Sequence, residues 1–228
     1  MKKEIREDVF IPVGSVTVEG HLGLPDKADS IVIFSHGSGS SRFSPRNKYV
    51  ADVLNEQNIA TLLVDLLTTK EDLNYASRFD INLLTQRLVG VSKWVAEQPV
   101  FKNFQIGYFG ASTGAASALR AAATLEERVK AVVSRGGRPD LAMQVLPFVK
   151  APTLLIIGSL DDQVIELNQE AYDQLRCKKE MMIVEGASHL FEEPGKLQEV
   201  AVLAADWFKK YLVNTDSYLD KAGIVLKN

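Results

Sequence analysis

The sequence contains a single cysteine, Cys177, so no disulfide bond can form within the chain. It also lacks long hydrophobic runs: the longest unbroken apolar segment covers six residues, 200–205, whereas a membrane-spanning helix needs about 18. The net charge of −3 gives no excess of either sign to attract nucleic acid or an anionic membrane. The first residues mix both charge signs, and we expect no signal peptide there. These absences favour a reducing, cytoplasmic location, with neither nucleic acid nor a membrane as partner.

The length and composition suit one large globular domain. The chain has 228 residues, of which 46% are hydrophobic and 24% are charged, and these are ordinary values for a globular protein. No low-complexity linker or internal repeat divides it. We therefore expect a single domain over residues 1–228, in which 213–228 form a C-terminal tail extension. A monomer and a homodimer are both compatible with this pattern.

Strand-like segments alternate with segments of helical length. Two N-terminal strands are joined by a turn containing Pro12 and Gly14. Later strands are apolar at nearly every position, as in strands covered on both faces. The predicted strands are 5–11, 16–24, 31–34, 59–64, 105–109, 129–133, 153–157 and 180–184, and the predicted helices are 46–57, 80–98, 113–127, 165–175 and 197–212. This alternation predicts an α/β fold with a mainly parallel sheet and ligands at the carboxyl ends of its strands.

The segment between the strands 129–133 and 153–157 is short. It has 19 residues, 134–152, which leave room for one short helix over 140–149. We therefore expect no large cap domain above the sheet and an open cleft that suits small substrates.

A glycine-flanked serine follows the strand 105–109 and precedes an alanine-rich helix. The segment Gly110-Ala111-Ser112-Thr113-Gly114 matches G-x-S-x-G in a strand–turn–helix setting. A serine on such a tight turn needs neighbours without side chains. The helix N-terminus behind it offers N–H groups to a developing negative charge. Ser112 is therefore the predicted nucleophile.

A serine nucleophile needs a base, and the chain has three histidines. His189 directly follows the last predicted strand, so the sheet brings it to the same edge as Ser112. His36 lies in the glycine-rich loop after strand 31–34, where we expect it to brace the loop. The base needs a carboxylate to fix its tautomer. From the residues alone, Asp161 and Asp162 are both candidates, because each could equally cap the following helix.

The loop after strand 31–34 is the predicted oxyanion site. Its His-Gly-x-Gly core lets the backbone approach a carbonyl oxygen, and we expect the N–H groups of Ser38 and Thr113 to donate. A phosphate-binding loop is the alternative for this Gly/Ser run. It is disfavoured because neither G-x-G-x-x-G nor G-K-[ST] is present.

The arrangement from His36-Gly37 through Ser112 to His189 resembles the α/β-hydrolase superfamily and, within it, the dienelactone hydrolase-related branch. The resemblance covers almost the whole chain. It implies an eight-stranded, mostly parallel sheet with an antiparallel N-terminal hairpin and helices on both faces. It also implies a Ser-His-Asp triad with Asp161 as the acid, in G-x-x-D-x-x-V, and no metal or organic cofactor.

The chain differs from dienelactone hydrolases at the nucleophile. Those enzymes use a cysteine, whereas this turn carries Ser112 and Cys177 lies elsewhere, so generic ester hydrolysis is expected rather than the lactone reaction. The segments 38–47, 134–139 and 189–194 also resemble a group of serine-nucleophile bacterial hydrolases that are sometimes fused to phosphoribosyltransferases. That resemblance implies a housekeeping or nucleotide-linked role.

Arginines are frequent in the loops at the predicted catalytic edge. Guanidinium groups bind carboxylate or phosphate through paired hydrogen bonds. We therefore hypothesise that some of them bind an anionic group of the substrate; the alternative is that they form ordinary salt bridges with nearby aspartates. The candidates are Arg42, Arg46, Arg78, Arg135 and Arg138.

The predicted function is a serine hydrolase that cleaves a carboxylic ester, thioester or lactone of a small substrate through an acyl-enzyme. The alternative is a non-catalytic protein of the same fold that binds a ligand or partner. A nucleotide-binding sheet protein is a third reading, and it lacks a phosphate fingerprint.

Overall fold

The computed structural model describes residues 4–212, so the predicted tail extension 213–228 lies outside the described residues. The strands are β1 Glu4–Val13, β2 Val16–Pro25, β3 Ser30–Ser35, β4 Ala60–Asp65, β5 Gln105–Ala111, β6 Val129–Arg135, β7 Thr153–Gly158 and β8 Lys179–Val184. The α-helices are α1 Pro45–Glu56, α2 Thr69–Asp72, α3 Ile81–Glu97, α4 Thr113–Leu125, α5 Asp162–Gln174 and α6 Lys196–Tyr211. No helix in this described range is long and apolar enough to cross a membrane.

All eight strands form one sheet in the order β1-β2-β4-β3-β5-β6-β7-β8. β1 pairs with β2, and β2 with β4, in antiparallel register, and every other pairing is parallel. The predicted eight-stranded sheet with an antiparallel N-terminal hairpin is therefore confirmed. The carboxyl ends of β3, β5, β6, β7 and β8 meet at one edge, and the predicted site residues follow these ends.

Apolar side chains cover both faces of the sheet, which explains the nearly continuous apolar strands. In β3, Ile31 and Ile33 join the core cluster beneath α3 and α4, whereas Val32 and Phe34 join the cluster beneath α1 and α6. Successive residues of a strand point to opposite faces. A strand buried on both sides therefore needs apolar residues at every position.

Most boundaries of the predicted helices lie within one or two residues of the sequence expectation, but some elements depart from it. α5 begins at Asp162, three residues earlier than predicted. α2 and a short 3-10 helix, Tyr75–Phe79, stand where no helix was predicted. α2 begins with a capping box between Thr68 and Glu71. Its four residues are too few to show a helical repeat of apolar positions. Between β6 and β7 lies one 3-10 helix, Pro139–Phe148, and no cap domain.

Candidate active site

Ser112 occupies a strained turn between β5 and α4. Its backbone adopts φ 51° and ψ −123°, a region that residues with a side chain rarely enter. The backbone is tightly packed here, since a Cβ at Gly110 would lie only 2.5 Å from the Cα of Ala115. Ser112 N–H donates to the carbonyl of Arg135, and Arg138 N–H donates to the carbonyl of Ser112. The end of β6 and the loop after it therefore hold the serine at the sheet edge.

Gly114 lets the end of β3 press against the start of α4. A Cβ at this position would lie 2.1 Å from the carbonyl oxygen of Ser35 and 2.6 Å from that of His36. Both obstacles are backbone atoms, which cannot turn away as a flexible side chain could. The missing side chain thus sets the distance between the Ser112 turn and the loop after β3.

Replacing Gly114 with alanine is expected to lower the free energy of unfolding by about 2–3 kcal/mol, since backbone must shift to admit the methyl group. Urea denaturation of both proteins measures this loss. Gly14→Ala is the matched control, because its Cβ meets nothing within 4 Å and only its φ of +60° opposes alanine. The control should lose about 1 kcal/mol. A smaller loss for Gly114→Ala than for Gly14→Ala would contradict the packing account.

The structure brings His189 and Asp161 into direct contact. His189 Nδ1 lies 2.6 Å from Asp161 Oδ2. In a neutral imidazole, a hydrogen on Nδ1 that is donated to this carboxylate leaves Nε2 as an acceptor. A Cβ at Gly136 would lie 3.5 Å from two atoms of the His189 ring. Ser112 contacts Arg135 and His189 contacts Gly136, so both lie next to the carboxyl end of β6.

The two candidate aspartates have different environments. Asp161 stands at the N-cap position of α5, yet its side chain makes no capping hydrogen bond and instead accepts from His189. Asp162 is the first residue of α5 and is exposed. Among residues 4–212, only Asp161 of the pair contacts His189, so the tertiary structure distinguishes two residues that the sequence left open.

The loop after β3 is braced by a partly buried ionic network. His36 Nε2 lies 3.3 Å from Asp65 Oδ1, and the backbone N–H of Arg42 donates to the same carboxylate oxygen at 2.6 Å. Burial by itself raises the pKa of Asp65, but the hydrogen bonds from His36 and Arg42 outweigh it and hold the pKa below its usual value. Asp65 therefore stays ionised and ties both ends of the loop to the end of β4.

The two predicted oxyanion donors lie side by side, but one of them is already bonded. Ser38 N–H donates to Thr113 Oγ1 at 2.9 Å. Thr113 is the first residue of α4, so its own N–H has no partner within the helix. A Cβ at Gly37 would lie 3.0 Å from the Cβ of Ser112, which shows that the loop rests on the serine.

Four of the five predicted substrate-binding arginines have a carboxylate partner within the chain. Arg42 pairs with Asp65 and Glu19, Arg46 with Glu192, Arg78 with Asp72 and Arg138 with Asp140. The pairs of Arg78 and Arg138 use two parallel hydrogen bonds each. These four residues therefore form the ordinary salt bridges that the sequence offered as the alternative. Arg78 pairs with Asp72 in α2, an element that was not predicted.

Arg135 differs from the other four. It is 5% exposed, and in residues 4–212 its guanidinium has no carboxylate partner. Its Nη2 donates to Asn47 Oδ1 at 3.1 Å, while its buried Nε donates to nothing. Burial and the charge of Arg46 lower the pKa of Arg135 to about 10, so the group remains charged at neutral pH. A buried cation without a counter-ion is unfavourable.

Two polar residues that sequence reasoning missed support this edge. Asn47, buried in the first turn of α1, is the partner of Arg135. Asn168, in α5, donates from Nδ2 to the carbonyl of Gly137 at 2.9 Å and so holds the loop after β6. A polar residue at a buried helical position was the available signal for Asn168, and no short motif marks either residue.

Several proteins of known structure share this fold over nearly the whole chain. A dienelactone hydrolase from Anabaena variabilis is 53% identical, superposes with a TM-score of 0.90, and the match covers 92% of this chain and 99% of that one. Est1E from Butyrivibrio proteoclasticus (14% identity, TM-score 0.77, 89% and 98% covered) and an esterase domain from Rhodothermus marinus (17%, 0.74, 92% and 100%) share the fold.

Two curated proteins from Mycobacterium tuberculosis strains, provisionally named phosphoribosyl transferases, are 55% identical over 206 residues, or 90% of this chain. The chain spans 46% of the length of these relatives. No family model matches the chain. The near-complete match to a solved dienelactone hydrolase at 53% identity nevertheless decides the family. The chain belongs to the dienelactone-hydrolase-like branch of the α/β-hydrolases.

Proposed function

We propose that this protein is a serine hydrolase that cleaves a carboxylic ester of a small substrate. The observation that carries the proposal is the 2.6 Å contact between Asp161 and His189 at the edge where Ser112 stands on its strained turn. Each of the three side chains follows a different parallel strand. Convergence of a nucleophile, a base and an acid at one sheet edge is the arrangement that acyl transfer needs.

In the proposed reaction, Ser112 Oγ attacks the ester carbonyl while His189 Nε2 takes its proton. The carbonyl oxygen becomes negatively charged, and N–H groups at the start of α4 stabilise it. The intermediate then expels the alcohol, which receives the proton from His189, and an acyl group remains on Ser112. Water repeats the sequence and releases the acid. Asp161 keeps the imidazole in the required tautomer throughout.

A screen of ester, thioester and lactone substrates tests the proposal and narrows the bond type. Labelling with a fluorophosphonate probe, followed by peptide mapping, identifies the nucleophile. We expect one adduct, on Ser112. Folded protein that neither turns over any of these substrates nor reacts with the probe would favour the non-catalytic alternative.

We propose further that the substrate carries a carboxylate or phosphate group that Arg135 binds. Arg135 is the buried guanidinium that lacks a carboxylate in the described chain. Arg46 lies close enough to lower its pKa, and its own bond to Glu192 is exposed and therefore weak. An anion between the two arginines would relieve their repulsion. It would also give the unbonded Nε of Arg135 an acceptor.

Arg135→Gln is expected to reduce kcat/KM for an anionic ester by about 10–100-fold and for its neutral counterpart by less than about threefold. The size follows from losing a hydrogen bond to a charged group, about 1.5–3 kcal/mol. Steady-state kinetics on the two esters measure it. Arg138→Ala and Arg78→Gln serve as controls, because both arginines already have carboxylate partners. Equal losses of kcat/KM on both esters would contradict the binding of an anionic substrate group by Arg135.

A further inference from the structure

Thr113 Oγ1 already accepts the hydrogen bond of Ser38 N–H, the group that the sequence predicts as an oxyanion donor. The N–H of Ser38 has one hydrogen, and it donates that hydrogen to Thr113 at 2.9 Å. This hydrogen is therefore not available to a substrate oxygen in the structure as it stands. The oxyanion needs a different donor on this side of Ser112.

The Thr113 hydroxyl still has a hydrogen to give. A hydroxyl can accept one hydrogen bond and donate another. In the described part of the chain, Thr113 Oγ1 accepts from Ser38, and no residue accepts from it. The residue is 5% exposed, so water satisfies this group poorly. A buried donor without an acceptor is unfavourable unless a ligand supplies one.

The position of this hydroxyl suits a donor to the reacting oxygen. Thr113 directly follows Ser112 and opens α4. The loop that carries Ser38 rests on the nucleophile, as the 3.0 Å distance from a Cβ at Gly37 to the Cβ of Ser112 shows. The close approach at Gly114 holds the two elements at this separation. The Thr113 side chain thus lies between the oxyanion loop and the serine turn.

We propose that the Thr113 hydroxyl is a catalytic hydrogen-bond donor to the oxyanion, an inference that rests on the proposed ester cleavage at Ser112. Ser38 N–H donates to Thr113 Oγ1, and Oγ1–H donates to the substrate oxygen beside the Thr113 N–H. The first bond polarises the hydroxyl and strengthens the second. No covalent bond forms to Thr113 and no proton leaves it, because it acts through hydrogen bonding alone.

Thr113→Val, assayed on an ester and on the matched thionoester, tests this role. Valine keeps the shape and removes the hydroxyl. Loss of one oxyanion donor is expected to reduce kcat for the ester by about 100-fold. The thionoester should lose much less, because sulfur accepts hydrogen bonds weakly. The ester-to-thionoester ratio of kcat/KM should therefore fall more than about tenfold, and Thr113→Ser, which keeps the hydroxyl, should restore the ratio.

Two outcomes would overturn the role of Thr113. If Ser38 N–H were itself the donor, Thr113→Val would free it, and the ester rate would stay the same or rise. If the hydroxyl only supported the fold, both substrates would slow equally and the ratio would not move. Thr124→Val is the matched control, since it removes an exposed hydroxyl from the same helix, one that donates to Arg120.

Failure of the underlying function is distinguishable from failure of this inference. Wild-type protein that cleaves no ester and takes no label on Ser112 contradicts ester cleavage, and the oxyanion role falls with it. Active wild-type protein with an unchanged ratio in Thr113→Val contradicts the role of Thr113 alone.

Discussion

Replacing Ser112 with alanine is expected to reduce kcat/KM for the best ester by about 10³-fold or more, because alanine has no hydroxyl to form the acyl-enzyme. The fold should survive, since alanine is smaller than serine and meets the same backbone strain at φ 51°. Ester kinetics and thermal unfolding, measured on the same preparation, check both statements. An active, folded Ser112→Ala protein would remove Ser112 from the mechanism.

Cys177 provides the control for this result, because a cysteine thiol is the other nucleophile that the family resemblance brings into question. Burial raises the pKa of the Cys177 thiol, although a hydrogen bond to Thr153 opposes this effect, and its sulfur lies 3.7 Å from Thr153 Oγ1. A thiol held protonated is a poor nucleophile. Cys177→Ser should therefore leave ester turnover within about twofold of the wild type. Loss of activity in this variant would point to thiol chemistry.

Asp161→Asn is expected to lower kcat by about 10⁴-fold, the loss known when a triad carboxylate becomes an amide. The amide cannot stabilise the imidazolium that forms when His189 takes the serine proton. It can also donate to Nδ1 and so impose the wrong tautomer. Presteady-state measurement of acylation shows whether the slow step is the one that needs the base.

Asp162→Asn is the matched control for Asp161→Asn, because it makes the same chemical change at the adjacent position. Asp162 is exposed at the start of α5, and its substitution should change kcat by less than about threefold. A large loss in Asp162→Asn with a small one in Asp161→Asn would reverse the assignment. Similar losses in both would indicate disruption of the loop after β7 instead.

Local patterns were sufficient for the order of the elements and for two of the proposed catalytic residues. Buried strands need apolar residues at each position, and the Ser112 turn needs glycines where backbone comes close, so both leave a short-range signature. The parallel sheet then brings the ends of β5 and β8 to one edge, where Ser112 and His189 lie. The four-residue helix α2 was missed because a single turn shows no periodicity.

Only the tertiary structure decided which charged groups pair and which N–H groups already have an acceptor. Arg46 meets Glu192 across 146 positions of sequence, and Arg135 meets Asn47 across 88, so no local pattern could show which arginine lacks a carboxylate. The same holds for Ser38 N–H, which lies 75 positions from the hydroxyl it binds. By itself, the sequence determined the strands, the longer helices, the Ser112 turn and the shared edge. The folded chain decided which groups there are already satisfied, because the partners of a side chain depend on its neighbours in space.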